Sequence, residues 1–308
     1  MVQGRDGASE ERPVPLLDVR AAGRFLTAHD AAAAHIPLEE LARRSHELPR
    51  ARTRPLAVYD EEPARAARAV ELLRARGYVG ARALAPLPPG ARAGWIAGPA
   101  RVRLWEPNPW LVACWPAIRE RLQAVARAGT GPARALDVAC GSGREAVWLA
   151  ERGWAVEAID HLPDALARAQ ELARRCGVRI RTRRQDLEAE PQLPAARYEL
   201  VCCFFFLSRP LLPAMAAALR PGGLICMRTF DVRERARSGR PRRARFALEP
   251  GELAAAFAAL GLELLAERAG PAEDGRWLQA VLARRPDRRR EQPAPAGPAA
   301  RPGRTGPL

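Results

Sequence analysis

The chain has 308 residues, enough for two ordinary domains, and it carries 50 arginines, no lysine and a formal net charge of +15. Because Ala, Gly and Pro are also abundant, this composition is typical of a GC-rich coding sequence and is weak evidence for a nucleic-acid partner. The N-terminus lacks the apolar core of a signal peptide, and no apolar run approaches the length of a membrane span.

We therefore expect a cytoplasmic protein with no membrane partner. The six cysteines include no Cys-x-x-Cys pair, and no histidine stands at metal-ligand spacing to them. This usage predicts buried, reduced thiols and no metal site.

The first folded segment begins with a short strand at Val14–Arg20 that ends in Asp-x-Arg. A His35-Ile36-Pro37 turn, a strand at Leu56–Tyr59 and a helix at Ala64–Arg76 follow. This order resembles a rhodanese domain and implies a small α/β unit over residues 13–98.

The segment departs from the rhodanese pattern at the residue that would carry sulfur. In that family a nucleophilic cysteine follows the Val-Tyr strand, whereas here Asp60 stands there, followed by Glu61 and Glu62. A carboxylate cannot carry a persulfide, and three acids would repel an anionic sulfur donor. We therefore expect an inactive rhodanese-like domain, in which His35 is a turn residue bonded to the backbone.

A Pro/Gly/Ala-rich stretch at Pro86–Ala100 separates this unit from the next. We predict a linker and helix over residues 99–131, with the helix at Leu111–Arg127. Trp105 and Trp110 suggest either a rigid lid over the cofactor or a packed joint between domains. Residues 1–12 and 286–308 are predicted to be disordered, since both are polar or rich in Pro, Arg and Gly.

The most informative stretch is Ala135–Arg144, which predicts a buried strand, a glycine-rich turn and the start of a helix. A second strand, Ala155–Ile159, ends on Asp160, which completes a nucleotide-binding half-unit. The turn formally matches the Gly-x-Gly-x-x-Ala fingerprint of dinucleotide-binding domains, in which Gly141, Gly143 and Ala146 occupy the three fixed positions. Asp137 disfavours that cofactor, because a carboxylate near the turn repels a pyrophosphate but attracts the ammonium and sulfonium of S-adenosylmethionine.

Further along, Asp186-Leu187 follows a third strand, and Tyr198–Cys203 is a fourth. A Leu-Arg-Pro-Gly-Gly turn at Leu219–Gly223 and two closing strands, Leu262–Glu267 and Trp277–Ala283, complete the pattern. In this order the motifs resemble class I S-adenosylmethionine-dependent methyltransferases. The resemblance covers residues 132–285 and implies a Rossmann-like α/β sheet with helices on both faces.

The resemblance also implies which residues contact S-adenosylmethionine. They follow the carboxyl ends of the strands, and they are Asp137, Ala139, Gly141, Ser142, Gly143, Asp160, His161, Asp186, Leu187 and Cys203. We name no catalytic residue, because no side chain near the expected acceptor site is a convincing base.

The class of acceptor is inferred from the end of the fourth strand. The fourth strand ends in Phe204-Phe205-Phe206, an apolar wall that suits a small, soft, deprotonated nucleophile such as a thiol or a metalloid. The region also resembles methyltransferases related to tellurite resistance. Two alternatives remain: an RNA or other nucleic-acid methyltransferase, or a non-enzymatic binding protein with a degenerate rhodanese module.

Overall fold

The computed structural model describes residues 13–86, 94–129 and 131–287. It divides into two compact units, with the boundary between Glu106 and Pro107. The predicted disordered ends lie outside the described residues, apart from 286 and 287. Within those described ranges, no helix combines the length and apolarity needed to cross a membrane.

The first unit contains a four-stranded parallel sheet in the order β2-β1-β3-β4. Its strands are β1 (Leu16–Asp18), β2 (Ala33–His35), β3 (Leu56–Tyr59) and β4 (Ala81–Ala83). Its helices are α1 (Ala22–Thr27), α2 (Leu38–Leu41) and α3 (Pro63–Arg74).

The core of this unit is formed by the apolar positions of the predicted strands and helix. Leu17 and Val58 from the sheet pack with Val70 and Leu73 of α3, all of them buried. Burying these side chains on one face of a parallel sheet is the main favourable term for so small a unit.

The second unit is built on a seven-stranded sheet in the order β10-β11-β9-β8-β5-β6-β7. β5 to β9 pair in parallel, and β11 runs antiparallel to both β9 and β10, as the two closing strands were predicted to do. The strands are β5 (Arg134–Val138), β6 (Ala155–Asp160), β7 (Arg181–Arg184), β8 (Tyr198–Phe204), β9 (Leu219–Phe230), β10 (Glu263–Pro271) and β11 (Trp277–Arg284).

Seven helices accompany this sheet among the described residues. They are α4 (Pro109–Ala113), α5 (Trp115–Ala128), α6 (Arg144–Ala150), α7 (Pro163–Arg175), α8 (Leu212–Ala218), α9 (Val232–Ser238) and α10 (Glu252–Ala259). The predicted helix at Leu111–Arg127 is thus two helices, because Pro116 in the first turn of α5 cannot continue the hydrogen bonds of α4.

Helices cover both faces of the sheet, as predicted. Ile225 and Met227 of β9 share a buried cluster with residues of α8 and α10. The thiol of the residue between them, Cys226, is hydrogen-bonded to the thiol of Cys114, which follows α4. Since successive strand residues point to opposite faces, α4 lies on the face opposite to α8 and α10.

Trp110 is part of this packing and does not form a lid. It is buried, and its indole N–H donates to the carbonyl of Val281 on β11 at 3.1 Å. The aromatic body fills the layer between helix and sheet while the polar N–H finds a backbone acceptor.

Candidate functional site

The site begins where β5 ends, at a turn with three left-handed residues. Ala139, Gly141 and Gly143 have φ angles of 53°, 54° and 76°. The turn is closed by a hydrogen bond from the Gly143 N–H to the carbonyl of Cys140 at 2.9 Å. Only glycine adopts such angles without cost, so the residue pattern and the backbone path agree at Gly141 and Gly143, whereas Ala139 holds a strained conformation.

The two glycines of the turn serve different purposes. A Cβ on Gly143 would lie 2.6 Å from the Cβ of Ala169, so this glycine lets α7 approach the turn closely. A Cβ on Gly141 would meet no protein atom within 4 Å. Gly141 therefore faces open space, and its missing side chain leaves the backbone accessible to a ligand.

Asp160, the last residue of β6, holds the turn in place. Its carboxylate accepts hydrogen bonds from the N–H groups of Gly141 at 2.9 Å and Leu162 at 3.0 Å. His161 is exposed beside it, with a ring nitrogen 3.5 Å from the same carboxylate. The predicted pair Asp160-His161 therefore lies directly against the glycine turn.

Asp137 lies deeper than the sequence suggested. We expected its carboxylate to face the pocket, but it is only 2% exposed and accepts a hydrogen bond from the Ala146 N–H at 3.0 Å. The first turn of a helix has unpaired N–H groups, and a carboxylate at the end of the adjoining strand satisfies one of them. Asp137 thus fixes the start of α6, and its side chain contributes charge to the turn.

A third acid, Glu145, comes from the first turn of α6. It is buried, and its carboxylate accepts a hydrogen bond from the N–H of Asn108 at 3.0 Å. The Asn108 side-chain oxygen caps α4 by accepting from the Trp110 N–H. Its amide nitrogen, fully buried, has no hydrogen-bond partner in the described part of the chain.

These acids make the turn electronegative. Burial raises the pKa of the Cys140 thiol, and the charges of Asp137, Asp160 and Glu145 raise it further. The same field that opposes a thiolate opposes a phosphate and favours a cation. The turn therefore fits a ligand with ammonium and sulfonium groups and disfavours a dinucleotide.

A family model described as a methyltransferase domain matches residues 135–223, which include the turn and the three acids. An uncharacterized protein of Schizosaccharomyces pombe is 25% identical over 323 residues, covering 88% of this chain and 94% of the relative. Hemagglutinin 1 of Eikenella corrodens is 34% identical over 114 residues, 35% of this chain and 36% of that protein. The solved structure of an S-adenosylmethionine-dependent methyltransferase from Mesorhizobium loti is 22% identical, with a TM-score of 0.44, and the match covers 56% of this chain and 98% of its own.

Residues 135–223 form a methyltransferase domain. Its cofactor is S-adenosylmethionine, and the electronegative turn fits that molecule. The enzyme class and cofactor inferred from the sequence motifs are thereby confirmed.

The edge of the methyltransferase domain beyond β6 holds two of the predicted cofactor contacts, Asp186 and Leu187. Asp186 is exposed, and one of its carboxylate oxygens accepts from the N–H of Glu188 at 3.0 Å. Leu187 is buried in the core, so only its main chain is available to a ligand. A polar cavity of about 530 Å³ lies at the end of β7, and its lining residues flank Asp186 and Leu187 in the sequence. They are Arg183, Arg184, Gln185, Glu190, Gln192, Leu193 and Pro194.

Two other predicted contact residues differ in accessibility. Ser142 is half-buried in the turn itself. Cys203 is fully buried on the core face of β8, where its thiol donates to the carbonyl of Phe206 at 3.6 Å. Burial raises the pKa of this thiol, so Cys203 offers a ligand only its backbone.

The three phenylalanines at the end of β8, Phe204 to Phe206, do not form one wall, contrary to our expectation. Phe204 is buried in the strand, and Phe206 packs against the core. Phe205 has a φ of 61°, and this left-handed backbone places its ring 5.4 Å from that of Phe230 at the end of β9. The apolar surface at this edge is therefore the pair Phe205 and Phe230.

Sequence reasoning missed two residues at this site. Asn108 was recognisable only as the cap before Pro109, and nothing in the sequence showed that its amide would be left unpaired. Arg228 lies in the apolar run of β9 and is only 8% exposed, and a charge within such a run is a signal that we overlooked. Among the described residues there is no group of three or more His, Cys, Asp or Glu side chains arranged to hold a metal ion.

Proposed function

We propose that the protein transfers the methyl group of S-adenosylmethionine to a small-molecule acceptor with a soft nucleophilic atom, such as a thiol or a reduced metalloid. The bound cofactor supplies a methyl group on a good leaving group, so the reaction is an in-line displacement. The chain's own residues then have to position the two reactants, and good alignment supplies up to about 7–11 kcal/mol of the barrier reduction.

One observation carries this choice of acceptor: Asp231 and Asp274, two acids near the aromatic edge, are poor bases. Burial alone would raise the pKa of Asp231, but hydrogen bonds from Arg233 and Gln279 hold it below its ordinary value. The pKa of Asp274 is likewise lowered, because its bond to Arg276 outweighs its burial. A general base works best when its pKa is near the working pH, so these carboxylates do not suit an alcohol or ammonium acceptor.

The histidine of the second unit does not fill that role either. His161 lies at the end of β6 beside Asp160. A thiol needs little help, since a few per cent is already thiolate near neutral pH and the thiolate is intrinsically nucleophilic. An acceptor of this kind is consistent with an apolar edge that lacks a base.

We assign the cofactor's parts to the glycine turn and its neighbours. The main chain of Ala139, Gly141, Ser142 and Gly143 lines the methionine and ribose side, with Asp160 on the ribose hydroxyls and His161 beside it. Asp186 and the backbone of Leu187 lie on the adenine side, and the backbone of Cys203 faces the reacting end. The unpaired amide of Asn108, next to Glu145 on α6, is a donor for the cofactor's carboxylate.

Calorimetry with S-adenosylhomocysteine tests this assignment. Asp160→Ala removes the carboxylate and should weaken binding by about 1–3 kcal/mol, whereas Asp164→Ala, an exposed acid in the first turn of α7, should not. Equal effects of both substitutions would contradict the assignment, as would binding of NADH without binding of S-adenosylhomocysteine.

A panel of acceptors tests the reaction. Formation of S-adenosylhomocysteine is measured with small thiols, with selenite under reducing conditions, with RNA and with a basic protein. We expect turnover with the thiols or the reduced metalloid and none with RNA or protein. Turnover with RNA or protein alone would refute the proposed acceptor class.

RNA is the second candidate because of an arginine-rich segment after β9. Residues 233–245 contain seven arginines, and three of them, Arg233, Arg237 and Arg245, are paired with acids. A basic segment next to a methyl-transfer site suits a phosphate backbone. If RNA is methylated, replacing Arg242 and Arg243 with glutamine should weaken its binding and reduce the salt dependence of that binding.

For the first unit we propose a rhodanese-like domain that does not transfer sulfur. Asp60, at the position of the missing cysteine, is buried and bonded to the Glu62 N–H and to Arg65, while Glu61 pairs with Arg20. These acids are structural partners within the loop and carry no sulfur. The full-length protein should show no thiosulfate sulfurtransferase activity, and saturable activity would refute this proposal.

We further propose a cytoplasmic protein, because all six cysteines are free thiols and five of them are buried.

A further inference from the structure

Arg228 of β9 is a largely buried cation that no acid holds by a hydrogen bond. It is 8% exposed, the charges of Asp274 and Glu273 act on it from a distance, and no hydrogen bond or ion pair joins its side chain to a described residue. Two other arginines that are equally or more buried are bonded to acids: Arg20 is held by Asp18 and Glu61, and Arg44 by Glu47. The guanidinium nitrogens of Arg228 are not among the fully buried polar atoms that lack a partner, so they open to solvent while the stem is buried. Arg228 therefore offers hydrogen-bond donors to an anion at the edge of the site.

The register of the strands places Arg228 at the edge of the sheet that carries Phe205 and Phe230, where we propose that the acceptor binds. It pairs with Phe204 on β8 and with Ala280 on β11, and Ala280 in turn pairs with Arg268 on β10. Paired residues lie side by side and point to one face of the sheet. The Phe205 N–H donates to the Arg228 carbonyl at 2.9 Å, so the aromatic edge begins where Arg228 lies.

The apolar pair of the site belongs to the same face. Phe230 follows Arg228 by two residues on β9 and so points the same way, and Phe205 packs against it. The guanidinium of Arg276 lies 4.7 Å from the centre of the Phe205 ring. The edge therefore presents two aromatic rings bordered by arginines.

The electrostatics of this edge are positive, in contrast to the glycine turn. Burial lowers the pKa of Arg228, and the positive charges of Arg268 and Arg276 lower it further. Asp274 and Glu273 offset part of this effect, but the carboxylate of Asp274 is already bonded to Arg276 at 2.7 Å. Arg228 remains charged, since a guanidinium does not lose its proton in proteins.

We propose that Arg228 binds a carboxylate or similar anionic group of the methyl acceptor, so that the substrate is a small thiol that carries a negative charge at its other end. This inference rests on the proposed function and specifies its substrate class. A guanidinium presents paired donors that match a carboxylate, and the rings of Phe205 and Phe230 suit the short carbon chain between the carboxylate and the thiol.

In the reaction, the thiolate sulfur forms a bond to the methyl carbon while the carbon–sulfonium bond breaks. S-adenosylhomocysteine leaves as a neutral thioether, and the thiol proton goes to solvent. The carboxylate takes no part in the chemistry. Its role is to hold the nucleophile in line, which is the main contribution that such a site can make.

The experiment compares two thiols that differ in charge and little in size, 3-mercaptopropionate and 3-mercapto-1-propanol. We expect the wild-type protein to favour the carboxylate in kcat/KM by roughly 10- to 100-fold, the range for a charge-assisted hydrogen bond. Arg228→Gln should abolish this preference, and Arg228→Lys should retain part of it. Arg284→Gln, which affects an exposed arginine on β11 paired with Glu263, is the matched control and should retain all of it.

Two further readouts separate this inference from other roles of Arg228. Binding of 3-(methylthio)propionate in the presence of S-adenosylhomocysteine, measured by calorimetry, should be roughly tenfold weaker in Arg228→Gln and unchanged in Arg284→Gln. Affinity for S-adenosylhomocysteine itself should be unchanged in both. A tenfold loss of that affinity in Arg228→Gln would overturn the inference, because Arg228 would then bind the cofactor's carboxylate.

The outcomes also distinguish this inference from the proposed function. Equal turnover of both thiols, unaffected by Arg228→Gln, would refute the anion site and leave the thiol acceptor standing. Absence of turnover with any thiol, together with Arg228-dependent binding of 3-(methylthio)propionate, would refute the thiol acceptor and support the anion site.

Discussion

Substituting alanine for Gly143 should destabilise the second unit through two separate effects. The new Cβ would lie 2.6 Å from the Cβ and 3.0 Å from the Cα of Ala169, closer than real atoms approach. Relieving such a contact in a packed region costs about 1–3 kcal/mol. The φ of 76° adds about 1–2 kcal/mol for a residue with a side chain, so we expect a loss of roughly 2–5 kcal/mol in unfolding free energy.

Gly141→Ala is the matched control, because it shares one effect and lacks the other. Its φ of 54° carries the same backbone cost of about 1–2 kcal/mol, but its Cβ would meet no protein atom within 4 Å. The methyl group would instead occupy the space that we assign to the ligand. Gly141→Ala should therefore be the more stable variant and the weaker binder of S-adenosylhomocysteine.

Urea unfolding and calorimetry on the same samples separate the two roles. The double variant Gly143→Ala/Ala169→Gly should recover part of the lost stability, since it removes the atom at 2.6 Å, although glycine in α7 itself costs about 1 kcal/mol. If Gly143→Ala were no less stable than Gly141→Ala, or if Gly141→Ala bound S-adenosylhomocysteine as wild type does, the division of roles between the two glycines would be refuted.

Three other predictions follow from polar groups in the second unit. Asn108→Ser keeps an oxygen that can cap α4 but removes the unpaired amide nitrogen, so the affinity for S-adenosylhomocysteine measured by calorimetry should fall about tenfold. Unchanged affinity would contradict a role of this amide in cofactor binding. Asp231 has a lowered pKa in the folded state, so its stabilising contribution should be lost as the pH falls below about 4, and Asp231→Asn should show less of this acid dependence in unfolding experiments. Burial and the neighbouring Glu157 raise the pKa of Tyr198 to about 12, so the free energy of unfolding should fall as the pH rises from about 10 to about 12. Tyr198→Phe should not show this fall, and an identical alkaline loss in that variant would exclude Tyr198 as its cause.

The elements that the sequence predicted well are those whose local signals are strong. β3 was predicted at Leu56–Tyr59 and has those bounds, because its four residues form one apolar run and all four are buried in the sheet. β5, with the glycine turn after it, combines an apolar strand with residues that adopt positive φ. The strands β2 and β4 were missed, since their three-residue sequences, Ala-Ala-His and Ala-Arg-Ala, contain no β-branched or large apolar residue.

The site could be located from the sequence, but the directions of its side chains could not. Asp137 points under α6 because the first turn of that helix offers an unpaired N–H, and this depends on how the helix packs. The separation of Phe205 from its neighbours arises from one left-handed residue that is not glycine. Arg228 becomes part of the site only through its register with β8 and β11, and pairing between distant strands has no local signal.

The two ends of the proposed site have opposite charge, and this arrangement suits the reaction. A thiolate and a sulfonium neutralise each other as the methyl group moves, so the transition state carries less charge than the reactants. Acids that bound the sulfonium directly would stabilise the reactant state and slow the reaction.

Here the acids near the turn already accept backbone hydrogen bonds: Asp137 from Ala146, Glu145 from Asn108, and Asp160 from Gly141 and Leu162. Their charge thus attracts a cation without offering the sulfonium a close partner. At the other edge, Arg228 would hold the acceptor by a carboxylate that does not react. Neither the acids at the turn nor Arg228 would then oppose the loss of charge on the reacting sulfur atoms in the transition state.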